Sequence, residues 1–167
     1  MKILIICPKN KKNCGVFDYS LIILKTLQQE HEVELVTNKF YKKNINSKIK
    51  DILPNWKIRG FYKLLRYIIK IKPDFINIQY VPFLYNRWGI NFYLPSINLI
   101  LRCLGFKTAL MIHETYVPFS NWKWIITGTF QRIQLFFLIT FSNKIFISTG
   151  KFLTAYLISR LEEGYCK

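Results

Sequence analysis

The stretch from Met1 to Thr37, MKILIICPKNKKNCGVFDYSLIILKTLQQEHEVELVT, constrains the fold more than any other. Ile3 to Cys7 is a short apolar run rich in β-branched residues, of a length that suits a strand buried on both faces. Pro8 to Cys14 is polar and basic and cannot continue that strand, and Gly15 permits a tight turn or close backbone approach. Apolar residues then recur at helical spacing at Val16, Tyr19, Ile23, Leu24 and Leu27. His31-Glu32 breaks the pattern, and Val33, Leu35 and Thr37 open a second strand. Strand, helix and strand joined by short loops form a βαβ unit, which requires a parallel sheet. Ligands of open parallel sheets sit beyond the carboxyl ends of the strands, so the loop from Pro8 to Gly15 is the first place to look for a site.

The same alternation continues. Asn38 to Trp56 is polar and basic and reads as a loop or partly ordered segment. Lys57 to Lys72 reads as an amphipathic helix, with Phe61, Leu64, Leu65, Ile68 and Ile71 on one face. Pro73-Asp74 stops it before a third strand, Phe75 to Gln79, and an aromatic loop, Tyr80 to Gly89. Asn91 to Leu104 reads as a helix ended by Gly105, and Thr108 to Ile112 as the fourth strand, with His113-Glu114 directly beyond it. Thr115 to Asn121 is a loop, Trp122 to Phe141 an apolar helix, Lys144 to Ser148 a fifth strand, and Lys151 to Leu161 a final helix. Strands and helices alternating in this way predict a Rossmann-like, doubly wound α/β domain. Gly15, Gln79-Tyr80, His113-Glu114 and Ser148-Thr149 all fall at strand carboxyl ends, and such a fold gathers them at one edge.

A chain of 167 residues fits one ordinary domain, and 51% hydrophobic residues exclude a disordered one. The formal net charge of +16 implies an anionic partner (nucleic acid, a phosphorylated ligand or an anionic membrane), unless the abundance of Lys, Ile and Asn is a bias of composition. Lys57, Arg59, Lys63, Arg66 and Lys70 lie in or beside the amphipathic helix, where they form either a solvated face or a membrane-surface patch. No nucleic-acid motif accompanies the charge, which weighs against a nucleic-acid partner. There is no Gly-x-Gly-x-x-Gly after the first strand and no Gly-Lys-Ser/Thr loop. Cys7, Cys14, Cys103 and Cys166 have neither Cys-x-x-Cys spacing nor a paired His, so a metal site is not expected and the thiols read as reduced, in a cytoplasmic protein. The N-terminus does not read as a secretory signal, and Ser142-Asn143-Lys144 interrupts the longest apolar stretch, which argues against a membrane-spanning helix.

Taken together, the opening strand with Gly15 in its loop, "HEVELVT", "PDFINIQY", "TALMIHE" and "NKIFIST" resemble the N-terminal half of a retaining glycosyltransferase of the GT-B fold, family 4. The resemblance covers nearly the whole chain and rests on the order and spacing of motifs that are individually weak. It implies an acceptor-side Rossmann-like domain, spanning residues 1–167, that faces a donor-binding domain across a cleft. The family's Glu-x7-Glu donor motif has no counterpart here, so the donor-binding domain is expected to be separate or missing.

By this resemblance Gly15, flanked by Cys14 and Val16, approaches the donor diphosphate, with Lys11 and Lys12 as optional added charge. His113 stands near the reacting sugar and Glu114 beside it on the acceptor side, while Tyr80 and Tyr116 are candidates to line an acceptor groove. In the family the last strand often ends Ser-Glu; here Ser148-Thr149 replaces that acid. The implied partners are a nucleotide-sugar, used as substrate with no cofactor or metal, a glycan or lipid-linked acceptor, and the inner face of the cytoplasmic membrane. The competing expectation is a non-catalytic binding subunit that recruits a donor-binding partner to the membrane surface.

Overall fold

The computed structural model describes residues 1–8, 14–38 and 49–148. The elements run β1 (Lys2–Ile6), α1 (Gly15–Leu27), β2 (Glu32–Asn38), β3 (Ile49–Leu53), α2 (Ile58–Ile71), β4 (Phe75–Tyr80), α3 (Pro82–Tyr85), α4 (Tyr93–Cys103), β5 (Lys107–Ile112), α5 (Trp122–Phe141) and β6 (Lys144–Ile147). The strands form one six-stranded sheet in the order β3-β2-β1-β4-β5-β6, and every pairing is parallel. The chain is therefore the Rossmann-like α/β domain that its alternation predicts.

Ile5 sits between Leu35 and Asn77 in the ladder, because β1 pairs with β2 on one side and β4 on the other. The strand order reverses there, which leaves a crevice at the carboxyl ends of β1 and β4.

Strand alternation sends side chains to two cores. Leu4, Ile6, Ile76, Ile78, Leu110 and Ile112 pack against Leu64 and Ile68 of α2, Ile97 and Leu101 of α4 and Leu138 of α5. On the other face Ile3, Ile5, Cys7, Val33 and Leu35 pack against Phe17 and Leu24 of α1. The phenolic hydroxyl of Tyr67 donates to Glu34 and ties α2 to β2.

Local signals account for most element ends. Lys72 closes α2 in the left-handed region, at φ 47°, and Pro73 follows it. Gly105, at φ +81°, ends the α4 turn as its position predicts. Asn121 caps α5 by accepting from the Trp124 N–H at 3.1 Å.

Two expectations change. The segment Asn38–Trp56 contains β3, an edge strand paired with β2. Its polar Lys50 and Asp51 interrupt the apolar pattern, and an edge strand tolerates charge where a central one does not. The aromatic loop after β4 holds the short helix α3, started by Pro82. The final helix expected at Lys151–Leu161, along with Lys11, Lys12, Thr149 and Cys166, lies outside the described residues.

The single helix of at least eighteen residues with a strongly apolar stretch among those described is α5, by length and composition long and apolar enough to cross a membrane. About 33% of that stretch is buried within the domain, against α4 and the sheet. Most of it therefore faces outward, so burial within the domain does not by itself account for its apolar composition.

Candidate functional site

The site is built at the carboxyl edge of the sheet around His113. Its backbone N–H donates to the Tyr80 carbonyl at 3.1 Å, and Ser148 N–H donates to the Ile112 carbonyl at 3.0 Å, so the ladder runs one residue past the strands. That extension fixes the base of the imidazole. Its Nε2 lies 2.6 Å from Gln79 Oε1 and its Nδ1 lies 3.0 Å from Ser148 Oγ. Gln79 Nε2 in turn donates to Asn77 Oδ1 at 2.6 Å. With the amides so oriented, Nε2 carries the proton and Nδ1 accepts from the Ser148 hydroxyl.

Tyr19, from α1, meets the imidazole edge-on at a centroid distance of 5.2 Å and an interplanar angle of 81°. Three adjacent strands and α1 thus position one ring. Burial lowers the His113 pKa from its ordinary 6.5, which keeps the ring neutral at pH 7. A neutral imidazole held between a donor and an acceptor is suited to hydrogen bonding and to exchanging a proton through Ser148.

At the same edge lies the start of α1. Cys14 occupies the N-cap without a side-chain cap bond, and the first helical bond runs from Asp18 N–H to the Cys14 carbonyl at 3.0 Å. The backbone N–H groups ahead of Asp18 are the donors a helix start leaves without helical partners. A Cβ built on Gly15 would meet nothing within 4 Å, so packing inside this domain does not demand glycine there. Val16 is half-buried against the α1 core.

The other candidates separate. Glu114 is exposed and enters no hydrogen bond or ion pair among the described residues. Tyr116 is 41% exposed, its ring face covered by the Arg132 guanidinium at 4.0 Å. Tyr80 is wholly buried, so it does not line an open groove, contrary to the sequence-based expectation. Alternation explains this: Ile76, Ile78 and Tyr80 share the core face of β4, whereas Asn77 and Gln79 face the α1 side. The Tyr80 hydroxyl accepts from Gln134 Nε2 at 3.0 Å, and burial raises its pKa.

Sequence reasoning placed Gln79 and Ser148 at this edge without a role, and gave Asn77 and Tyr19 no place in the site. Two polar residues two apart in the apolar run FINIQY were the available signal for Asn77 and Gln79. Lys57, Arg59, Lys63, Arg66 and Lys70 are all exposed on or beside α2, away from its buried Gly60, Phe61, Leu64 and Ile68. No cluster of three or more His, Cys, Asp or Glu side chains capable of holding a metal occurs among the described residues.

No known family pattern matches this sequence, and no curated protein matches it. Solved structures do. UDP-GlcNAc 2-epimerase from Methanocaldococcus jannaschii superposes with a TM-score of 0.56 at 15% identity, over 99% of this chain and 43% of that one. A putative UDP-N-acetylglucosamine 2-epimerase from Listeria monocytogenes superposes with a TM-score of 0.55 at 10% identity, over 99% of this chain and 42% of that one. The chain therefore spans less than half the length of these solved structures. At such identities the likeness is one of fold, a Rossmann-like domain of the GT-B-like kind.

Proposed function

We propose that this chain is the acceptor-side half of a sugar-nucleotide enzyme of the GT-B type, a retaining glycosyltransferase whose donor half is a further domain or a partner. The observation that carries the reading is His113, held by Gln79 and Ser148 at the same sheet edge as the bare start of α1. The fold likeness to two sugar-nucleotide epimerases supports the broader class.

In the proposed reaction the bond between sugar C1 and the diphosphate oxygen breaks, and a bond from C1 to an acceptor hydroxyl oxygen forms on the same face. The hydroxyl proton passes to the departing diphosphate. Residues of this chain act by position and electrostatics. Backbone N–H groups at Gly15 and Val16 face diphosphate oxygens, and a sugar hydroxyl takes the place of Ser148 as the donor to Nδ1 of neutral His113. Tyr116 and Glu114 stand on the acceptor side. No cofactor or metal enters this scheme. The acceptor is a glycan or a lipid-linked glycan at the inner face of the cytoplasmic membrane, toward which the basic face of α2 is electrostatically drawn.

The test incubates the protein, together with its donor-binding half, with UDP- and GDP-sugars and a membrane extract as acceptor source. Release of nucleoside diphosphate with transfer of labelled sugar is expected, with His113→Ala lowering the rate about a hundredfold or more. Interconversion of the free nucleotide-sugar without transfer favours epimerase chemistry instead. Binding without turnover of either kind favours a non-catalytic subunit that recruits a donor-binding partner to the membrane surface.

A further inference from the structure

Helix α5 is amphipathic in the inverted sense. The stripe it turns into the domain is Thr127, Gly128, Gln131, Gln134, Leu135 and Leu138, mostly small or polar. Those amides hold loops. Gln131 Oε1 accepts from the Val117 N–H at 2.9 Å, and Gln134 accepts from the Asn91 N–H while donating to Tyr80. The opposite arc carries Trp122, Ile126, Phe130, Ile133, Phe136 and Phe137, all exposed. At about 100° per residue these side chains share one side of the helix. A neighbouring aromatic widens the patch: Phe92 packs edge-on to Phe130 at 6.1 Å. A contiguous apolar surface of this kind marks a contact with something other than water.

Charge identifies that contact. The two charged residues of α5 are Lys123 and Arg132, both basic, and helical geometry places them on opposite flanks of the apolar arc. Between Pro82 and Lys144 the basic residues are Arg87, Arg102, Lys107, Lys123, Arg132 and Lys144, against Glu114 as the lone acid. Of the tryptophans, Trp88, Trp122 and Trp124 are exposed and Trp56 is buried. Arg132 is engaged within the domain, its guanidinium stacked on Tyr116 and Phe119, but an apolar face edged by Trp122 and Lys123 in a stretch of six basic residues against one acid matches a lipid–water interface of negative charge. A span is disfavoured because the inner stripe is hydrogen-bonded to the domain's own loops and packs on α4.

We propose that α5 lies in the plane of an anionic lipid surface, its Trp122–Phe137 arc among the acyl chains and Lys123 among the headgroup phosphates. This contact requires no nucleotide-sugar, so it stands or falls separately from the catalytic reading. It also differs from attraction through α2, which is electrostatic alone.

Vesicle flotation of the protein separates the cases, using phosphatidylcholine with or without phosphatidylglycerol. Capture by the anionic vesicles is expected, with substantial retention when salt rises from about 0.1 M to about 1 M, because salt screens charge without weakening apolar insertion. The combined variant Ile126→Ser, Phe130→Ser, Phe137→Ser alters exposed side chains and is expected to partition about a hundredfold less. In the unaltered protein, brominated lipid is expected to quench tryptophan emission, a readout that needs no variant. Failure to float, complete release by salt, or absence of quenching overturns the proposal. So does a dimer in gel filtration that the triple variant dissociates while neither form floats, which assigns the face to a second copy.

Discussion

The Nε2 of His113 lies 2.6 Å from Gln79 Oε1, joining the first residue past β5 to the penultimate residue of β4. Parallel pairing of Gln79 with Met111 places the two side chains on one face, because Met111 and His113 are two residues apart. The contact therefore follows from sheet register, and it fixes the ring that the proposed chemistry needs.

Stability is expected to depend on pH through this ring. The folded pKa of His113 is lowered by burial, so below 6.5 the unfolded chain binds more protons than the folded one. Stability should be full above that value and should fall as pH drops from there through the lower folded pKa. Urea unfolding between about pH 7.5 and 5 measures it, and His113→Gln should flatten the slope over that window.

Two glycines should respond oppositely to alanine. At Gly15 the added Cβ meets nothing within 4 Å, so Gly15→Ala should leave thermal stability unchanged or slightly raised. If its backbone abuts a diphosphate, nucleotide-sugar affinity should fall about tenfold or more, measured by calorimetry. At Gly60 the Cβ would stand 1.7 Å from the Asn55 carbonyl oxygen, so backbone must move. Gly60→Ala should cost about 2 kcal/mol or more of folding stability, read from the denaturation midpoint.

Gln134→Leu should destabilise strongly. The amide accepts from the Asn91 N–H and donates to the Tyr80 hydroxyl, both in buried surroundings. Stranding those groups costs about 2–4 kcal/mol, or a fall of about 5–15 °C in Tm. Calorimetric unfolding checks this.

The two tyrosines once paired as groove candidates should behave differently. Tyr80→Phe removes a buried hydroxyl bonded to Gln134 and should cost about 1 kcal/mol without altering the acceptor KM. Tyr116→Ala removes a half-exposed ring from the Arg132 guanidinium and should raise the acceptor KM with little change in stability. Kinetics alongside thermal melts separate the two effects.

Hydrophobic period and chain order determined the Rossmann-like alternation, because the central strands β1, β4 and β5 are buried on both faces and read as largely apolar runs, interrupted in β4 by Asn77 and Gln79 of the site. The same logic made Gly105 and Pro73 legible as stops and His113 legible as a strand-end residue. The edge strand β3 was not legible, since an edge strand tolerates charged residues and so need not show an apolar period. Tertiary structure alone decided which face each strand-end residue presents: Tyr80 turns into the core and Gln79 toward His113, a difference of one residue in register. It also decided that α5 buries its glutamines and exposes its aromatics. The sequence pattern gives the apolar arc of a helix, whereas the direction of that arc depends on which loops need hydrogen bonds from the other side.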